Sequence, residues 1–262
     1  LIDLVSRYSV KEIVIAVKEQ RGGAIPMDQL LECRIRGVSV LNLAGFSEKT
    51  KREVRIDSLK GSWLVYGDGF VQGQMRQFMK RAFDILSSSI LLIITAPIMA
   101  LAALAIWLDS SGPVIYRQAR VGLGGRVFMC MKFRSMRADA ERDGVARWAT
   151  KNDPRVTRIG SFMRKTRIDE LPQLFSVLFG EMSLVGPRPE RPAFVDRLKA
   201  EIPFYELRHS VKPGITGWAQ VRYHYGDSLD DAKKKHQFDL YYVKNNSLLL
   251  DVLVLIETVS VV

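Results

Sequence analysis

The sequence predicts a mixed α and β chain in two parts: a small α/β unit, then a larger α+β domain that enters a membrane. Three observations predict this. In the first 45 residues, two short β-branched runs bracket a helical segment. Residues 85–108 are 24 positions without a single charge. Beyond them, short strand-like runs alternate with helical stretches and glycine-rich turns.

Residues 11–17 (KEIVIAV) form a short β-branched run, a buried-strand signal. Pro26 opens a helical stretch from Met27 to Arg36, which Gly37 closes. Residues 38–43 are a second strand-like run. Strand, helix, strand over this length predicts a βαβ unit of a parallel sheet. No G-x-G-x-x-G follows the first strand, so Gly22-Gly23 reads as a loop rather than a phosphate cradle. The chain starts within a helical pattern and without Met, and is expected to be a piece of a longer protein.

Four glycines between Gly61 and Gly73 mark a crossing into the next domain. From Met75 the pattern is helical and basic up to Lys80-Arg81, and Asp84 precedes the uncharged run. As a straight helix that run is roughly 36 Å long, enough to cross a bilayer. Pro97 is the thirteenth of its 24 positions. A proline there removes one backbone hydrogen bond and crowds the preceding turn, so a kink is expected. Ser87 to Ser89 and Thr95, or neighbouring helices, are expected to satisfy the freed carbonyls. Both flanks are basic, with Lys80 and Arg81 before and Arg117, Arg120 and Arg126 after. The positive-inside tendency favours the same side for both. A helix broken at Pro97 that enters and leaves by one face reconciles these facts; an ordinary kinked span is the competing reading.

Ser111-Gly112-Pro113 is a turn. Residues 114–116 and 127–131 flank Gly122–Gly125 and predict a hairpin. Lys132 and Arg134 are two apart, so in a strand they share a face and both could meet a diphosphate. Residues 138–148 are charged and read as a helix or loop, and Asp153 as a turn residue. A helix is predicted from Pro192 to Glu201, with Phe194, Val195 and Leu198 on one face. Residues 211–220 form a glycine-rich loop whose amides could approach a ligand. Trp218 reads as core, and His224 among Tyr223 and Tyr225 as structural. Residues 248–262 are apolar and pack on a membrane surface or on the core.

The chemistry concentrates in residues 164–190. Asp169 and Glu170 follow Arg164, Lys165 and Arg167, and Arg188 stands between Pro187 and Pro189. Carboxylates beside clustered cations suit phosphate handling: cations neutralise phosphate oxygens, and a carboxylate holds a divalent metal or attacks phosphorus. A second reading stands beside it, in which Asp169 caps the next helix and Glu170 is a first-turn acid.

The net charge is +11, and 14 Lys and Arg face only 4 Asp and Glu between Arg117 and Arg167. The adjacent uncharged run favours lipid headgroups and diphosphates as partners of this surface. No nucleic-acid motif accompanies it, so no nucleic acid is expected. Cys33 and Cys130 match no metal or disulfide spacing.

The ordered series R-x-x-R-x-D-E-L-P-Q-L, M-S-L-V-G-P-R-P-E and K-P-G-I-T-G-W-A-Q resembles the bacterial monotopic phosphoglycosyl transferases. K-F-R-S-M (132–136) and the K-R-x-x-D of Lys80, Arg81 and Asp84 match the same family, and the likeness covers about residues 80–262. The resemblance implies an α+β catalytic domain with a re-entrant membrane helix (about 80–108) spanning residues 73–262. Residues 1–72 resemble the C-terminal part of a Rossmann-like α/β domain of regulatory or assembly role.

The resemblance further implies transfer of a sugar phosphate from a UDP-sugar to polyprenol phosphate with release of UMP. The expected setting is the cytoplasmic face of the bacterial inner membrane, at the first membrane step of exopolysaccharide or O-antigen assembly. Asp169 becomes the nucleophile, forming a covalent phospho-sugar adduct, and Glu170, with Asp169, the Mg²⁺ site. Arg164 is expected on the lipid phosphate and Arg188 on the nucleotide, with Arg167, Lys132 and Arg134 as further substrate contacts. The sugar and the oligomeric state stay open, a homo-oligomer included. A basic, non-catalytic membrane scaffold is the alternative.

Overall fold

A computed structural model describes residues 1–17, 25–56, 73–137, 139–140, 153–223 and 228–261. The readings at Gly22-Gly23, at the glycine crossing before Gly73, at 138–148 (apart from 139 and 140) and at His224-Tyr225 lie outside the described residues. The chain divides into two compact units, residues 1–65 and 66–262.

In the first unit, α1 (Ile2–Tyr8) precedes β1 (Glu12–Ile15), α2 (Met27–Ile35), β2 (Ser39–Asn42) and α3 (Leu43–Lys51). β1 and β2 pair in parallel, Glu12 opposite Ser39 and Ile15 opposite Asn42, with α2 as the connection. Gly37 takes φ 89° just after α2, a conformation that costs other residues a Cβ clash. Asn42 caps α3 by accepting from the Gly45 amide. Among the described residues this unit is α1 followed by one βαβα motif with a two-stranded parallel sheet.

The second unit is mixed. It begins with α4 (Gln74–Asp109), 36 residues long. The hairpin β3 (Ile115–Val121) and β4 (Val127–Phe133) follows, antiparallel as predicted, with Val121 opposite Val127. Next come α5 (Arg158–Lys165), a 3₁₀ turn at Ile168–Glu170, α6 (Gln173–Phe179), β5 (Ser183–Val185) and α7 (Pro192–Glu201). A second 3₁₀ turn (Tyr205–Ser210) leads to β6 (Gly214–Thr216), α8 (Trp218–Arg222), α9 (Leu229–Asn245) and α10 (Leu248–Val261). β5 and β6 are parallel. Their core gathers Leu174, Val177, Met182, Leu184, Trp218, Tyr242 and Val254, so Trp218 is core, as read from the sequence.

α4 is long and apolar enough to cross a membrane, and only 11% of its apolar window is buried. A soluble core helix of that length would be mostly buried, and the described residues of this chain do not cover α4. Its inner stripe touches the second unit: Phe83 and Leu92 meet the main core, and Met99, Ala102, Ala103 and Ile106 pack with Phe133 and Met163. Ile93, Ile94, Leu101 and Trp107 on the other faces are exposed.

Two expectations about α4 change. The helix is continuous through Pro97 rather than divided into two. The Thr95 hydroxyl donates to the Leu91 carbonyl and Ser88 to that of Ile85, not to the Ile93 carbonyl four residues before the proline. Short hydroxyl side chains reach back one turn from their own position, which Thr95 and Ser88 do here.

Both ends of α4 are fastened to the same unit. Lys80 donates to Asp251 (2.7 Å), to the Tyr242 hydroxyl and to the Val185 carbonyl. Arg81 donates to the carbonyls of Val177 and Leu178. Asp84, buried, accepts from the Ser183 hydroxyl and the Leu184 amide. At the far end Arg134 donates to the Ser110 and Ser111 carbonyls (2.6 and 3.0 Å).

Candidate active site

The acid pair is placed by an unusual local conformation. Arg167 takes φ 58°, left-handed backbone that ends α5 and turns the chain into the 3₁₀ turn. Pro172 then occupies the cap position of α6, which has no side-chain cap. Asp169 therefore caps nothing, and the capping alternative fails.

Asp169 and Glu170 are both buried, at 7% and 6% exposure. Glu170 Oε1 accepts from Lys132 Nζ and from Arg188 Nη2, each at 2.7 Å. Burial alone would push the Glu170 carboxyl up, but the charges and hydrogen bonds of Arg188 and Lys132 hold it well below its usual range. The Arg188 guanidinium is in turn stabilised in its charged form by Glu170. Burial lowers the Lys132 ammonium, against the pull of Glu170.

Asp169 differs. Its Oδ1 is buried with no hydrogen-bond partner among the described residues. Burial, and next the Glu170 charge, raise its carboxyl above the ordinary value despite Lys132, Arg164 and Arg167 nearby. Two neighbouring carboxylates thus diverge: one is locked in ion pairs, and the other is desolvated and unsatisfied. A desolvated carboxylate is the more reactive of the two toward an electrophile.

Arg188 is held from behind. Arg208 Nη2 donates to the Arg188 carbonyl (2.9 Å) and pairs with Asp239 (2.8 Å), both side chains buried. The Pro187–Pro189 turn itself is fixed by glycine packing. A Cβ on Gly186 would lie 2.3 Å from the Lys212 carbonyl, and one on Gly214 2.1 Å from the Gly186 amide nitrogen. Only glycine allows the backbones this approach. The Gly214 amide donates to the Pro187 carbonyl, so it is spent inside the protein. The expectation of a ligand-facing loop at 211–220 is corrected accordingly at this amide.

Of the sequence-derived residues, Asp169, Glu170, Lys132 and Arg188 come together. Arg164 Nε donates to the Ser135 hydroxyl (3.1 Å), which fixes it beside them. Arg134 does not join. β4 ends at Phe133, so the strand alternation that would pair Arg134 with Lys132 stops one residue short. Its guanidinium is buried against the carbonyls of Ser110 and Ser111, just past the end of α4, and is spent there. Lys80, Arg81 and Asp84 act as ties between helix and domain.

A cavity of about 240 Å³ opens beside the acid pair. Arg167 and Glu170 are its charged lining residues, and Asp169 stands next to Glu170 without lining it. Leu171, Leu174, Leu184 and Ile215 make most of the wall apolar, Thr216, Gln220 and Thr258 add polar groups, and Leu91 and Thr95 of α4 complete it. Sequence reasoning missed this cavity and the Arg208–Asp239 pair. The pair spans 31 positions, and no local pattern links its members.

Among the described residues no group of three or more metal-binding side chains comes together. A magnesium ion is commonly held by one or two carboxylates with substrate phosphates completing its shell. Adjacent Asp169 and Glu170, with Asp169 Oδ1 unpartnered, fit such an ion.

Residues 75–262 match the family described as bacterial sugar transferase. The chain is 45% identical over 233 residues to the UDP-N-acetylgalactosamine-undecaprenyl-phosphate N-acetylgalactosaminephosphotransferase of Aeromonas hydrophila, covering 89% of this chain and 54% of that protein. It is 45% identical to the UDP-glucose:undecaprenyl-phosphate glucose-1-phosphate transferase of Escherichia coli K12, over 71% of this chain and 40% of the relative. It is 46% identical to the exopolysaccharide production protein PSS of Rhizobium leguminosarum, over 69% of this chain and 93% of that protein. The chain thus spans about half the length or less of the first two relatives and nearly all of the third.

Proposed function

This chain belongs to the bacterial sugar transferase family, and from that premise we propose that it moves a sugar phosphate from a UDP-sugar to polyprenol phosphate, releasing UMP. The observation that carries this reading is the asymmetric acid pair beside a mostly apolar cavity that Glu170 and Arg167 help to line. Charged groups and an apolar wall in one cavity match a substrate with a phosphate head and a hydrocarbon tail. That Leu91 and Thr95 of the membrane helix form part of the wall supports delivery of the tail from the bilayer.

Asp169 Oδ1 attacks the β-phosphorus of the UDP-sugar. The new O–P bond forms as the bond to the UMP oxygen breaks, leaving a phospho-sugar on Asp169. An oxygen of polyprenol phosphate then attacks the same phosphorus, the Asp169 bond breaks, and a sugar-diphosphate lipid departs. Each displacement is easier than one direct transfer between two anions. Lys132 and Arg188 keep Glu170 ionised and oriented, and their remaining N–H groups face the diphosphate charge. Arg164, steadied by Ser135, and Arg167, in the cavity lining, hold the lipid phosphate. Asp169 and Glu170 would hold Mg²⁺, which when bound offsets diphosphate charge.

The proposed setting is the cytoplasmic face of the inner membrane, at the first membrane step of exopolysaccharide or O-antigen assembly. α4 is proposed to bend at Pro97 while staying helical, and so to enter and leave by that face; attachment of both its ends to one unit supports this. A non-catalytic scaffold has no use for a buried, unpartnered carboxylate, which is unfavourable unless it acts.

The test uses detergent-extracted protein with polyprenol phosphate and either UDP-glucose or UDP-N-acetylgalactosamine, with UMP as the readout. Lipid-dependent UMP release from at least one UDP-sugar is expected. Its absence across a panel of UDP-sugars, with folded protein and Mg²⁺ present, would refute the reading.

A further inference from the structure

Two cationic side chains meet at the far end of α6 from the acid pair. Gly180 closes α6 with φ 89°. A Cβ built there would lie 3.3 Å from Arg81 Nη2 and 3.5 Å from Lys212 Nζ. The two cations are therefore no farther apart than the sum of those distances. Arg81 spends two donors on the Val177 and Leu178 carbonyls. Lys212 has no hydrogen-bond or ion-pair partner among the described residues.

The nearby acids are committed elsewhere. Asp251 is paired with Lys80, and Asp84 accepts from Ser183 and Leu184. Burial and the charges of Arg81 and Lys80 lower the Lys212 ammonium, and only Asp84 opposes them. Like charges held together without an anion between them create a point of strong positive potential.

The surroundings indicate which anion. Phe179, one residue before Gly180, is 72% exposed, and Phe175 on the preceding turn is also exposed. Met75, Phe78 and Met79 are exposed on the first turns of α4, just before its uncharged stretch. Cations with exposed aromatic and apolar side chains on the same two helices, at the start of a membrane helix, suit the boundary between headgroups and acyl chains. A free phosphate gains nothing from such apolar neighbours.

We propose that Arg81 and Lys212 form a binding site for the phosphate of an anionic phospholipid, with Phe175 and Phe179 seated among its acyl chains. Seven helical residues separate this site from the acid pair, roughly 10 Å along α6. A headgroup bound there fixes the depth and tilt of α6, and with it the acid pair, relative to the membrane. The inference rests on the membrane reading of α4 and not on the transfer reaction.

The test is thermal unfolding in zwitterionic detergent micelles with added phosphatidylglycerol, phosphatidylcholine or inorganic phosphate. Phosphatidylglycerol should raise the wild-type midpoint by about 2–4 °C, as a ligand at many times its dissociation constant does. Phosphatidylcholine and inorganic phosphate should not. Lys212→Met, which keeps the apolar stem, should lose most of the rise, and Lys212→Arg should keep it. Lys233→Met, a charge-matched change on an exposed lysine, should behave as wild type. An undiminished rise in Lys212→Met, or no rise in the wild type, overturns the proposal. An equal rise with inorganic phosphate or phosphatidylcholine overturns the assignment to an anionic lipid. UMP release is read separately, so failure here leaves the reaction untouched.

Discussion

Replacing Asp169 with Asn separates chemistry from architecture at this site. The side chain keeps its size. It caps no helix, since Pro172 is the cap position of α6 and α6 has no side-chain cap, and Oδ1 has no hydrogen bond to lose. The folded carboxyl is raised above its ordinary value by burial and by Glu170. The sign follows from linkage. A carboxyl whose folded pKa is raised favours folding when protonated and subtracts stability once both states are ionised. At neutral pH its ionised form works against the fold, so removing the charge should leave the thermal midpoint unchanged or higher. Catalysis should behave oppositely. An amide is a far poorer nucleophile toward phosphorus, and loss of at least about a thousandfold in turnover is expected, about 4 kcal/mol of barrier.

The assay is UMP release alongside a melting curve. Mass spectrometry of enzyme quenched with UDP-sugar and no acceptor should also place a phospho-sugar on the peptide holding Asp169. The wild-type rate should fall on acidification at a pH above the ordinary aspartate value of 3.8, because protonation removes the nucleophile. Near-wild-type turnover by Asp169→Asn, once deamidation is excluded, would refute the reasoning. A collapsed melting curve would show instead that Asp169 is structural.

Two further predictions concern the frame around the acid pair. Asp239→Asn leaves the Arg208 charge buried without its counter-ion; a loss of about 3–5 kcal/mol is expected by denaturant titration. It should also weaken UDP-sugar binding, because Arg208 holds the Arg188 carbonyl. Single cysteines at Gln77 and Gln118 should label from the same face of sealed, oriented vesicles, since both native cysteines are buried; labelling from opposite faces would rule out the re-entrant arrangement of α4.

Much of this protein was legible where the signal is local. The uncharged run of 24 residues marked α4, because a bilayer selects on length and charge alone. Strand, helix, strand in the first 45 residues gave a parallel pair, since β-branched runs separated by a helix cannot pair as a hairpin. Pro192 fixed the start of α7, because a first-turn proline loses no hydrogen bond. The D-E-L-P-Q and P-R-P stretches pointed to Asp169, Glu170 and Arg188, which the fold brings to one candidate site, since their chemistry resides in side-chain type.

Tertiary structure decided how those residues are used. The sequence placed Lys132 and Arg134 on one face, yet the strand ends between them, and the arginine instead ties down the end of α4. Asp169 and Glu170 are adjacent and chemically alike in the sequence. Only packing gives Glu170 two cations from β4 and from the Pro187–Pro189 turn and leaves an oxygen of Asp169 bare. The cavity is built from five separate stretches of the chain, from Leu91 to Thr258. Side-chain type sets which groups can ionise or attack; burial and partners from distant segments set which of them does, because desolvation and charge pairing act through space.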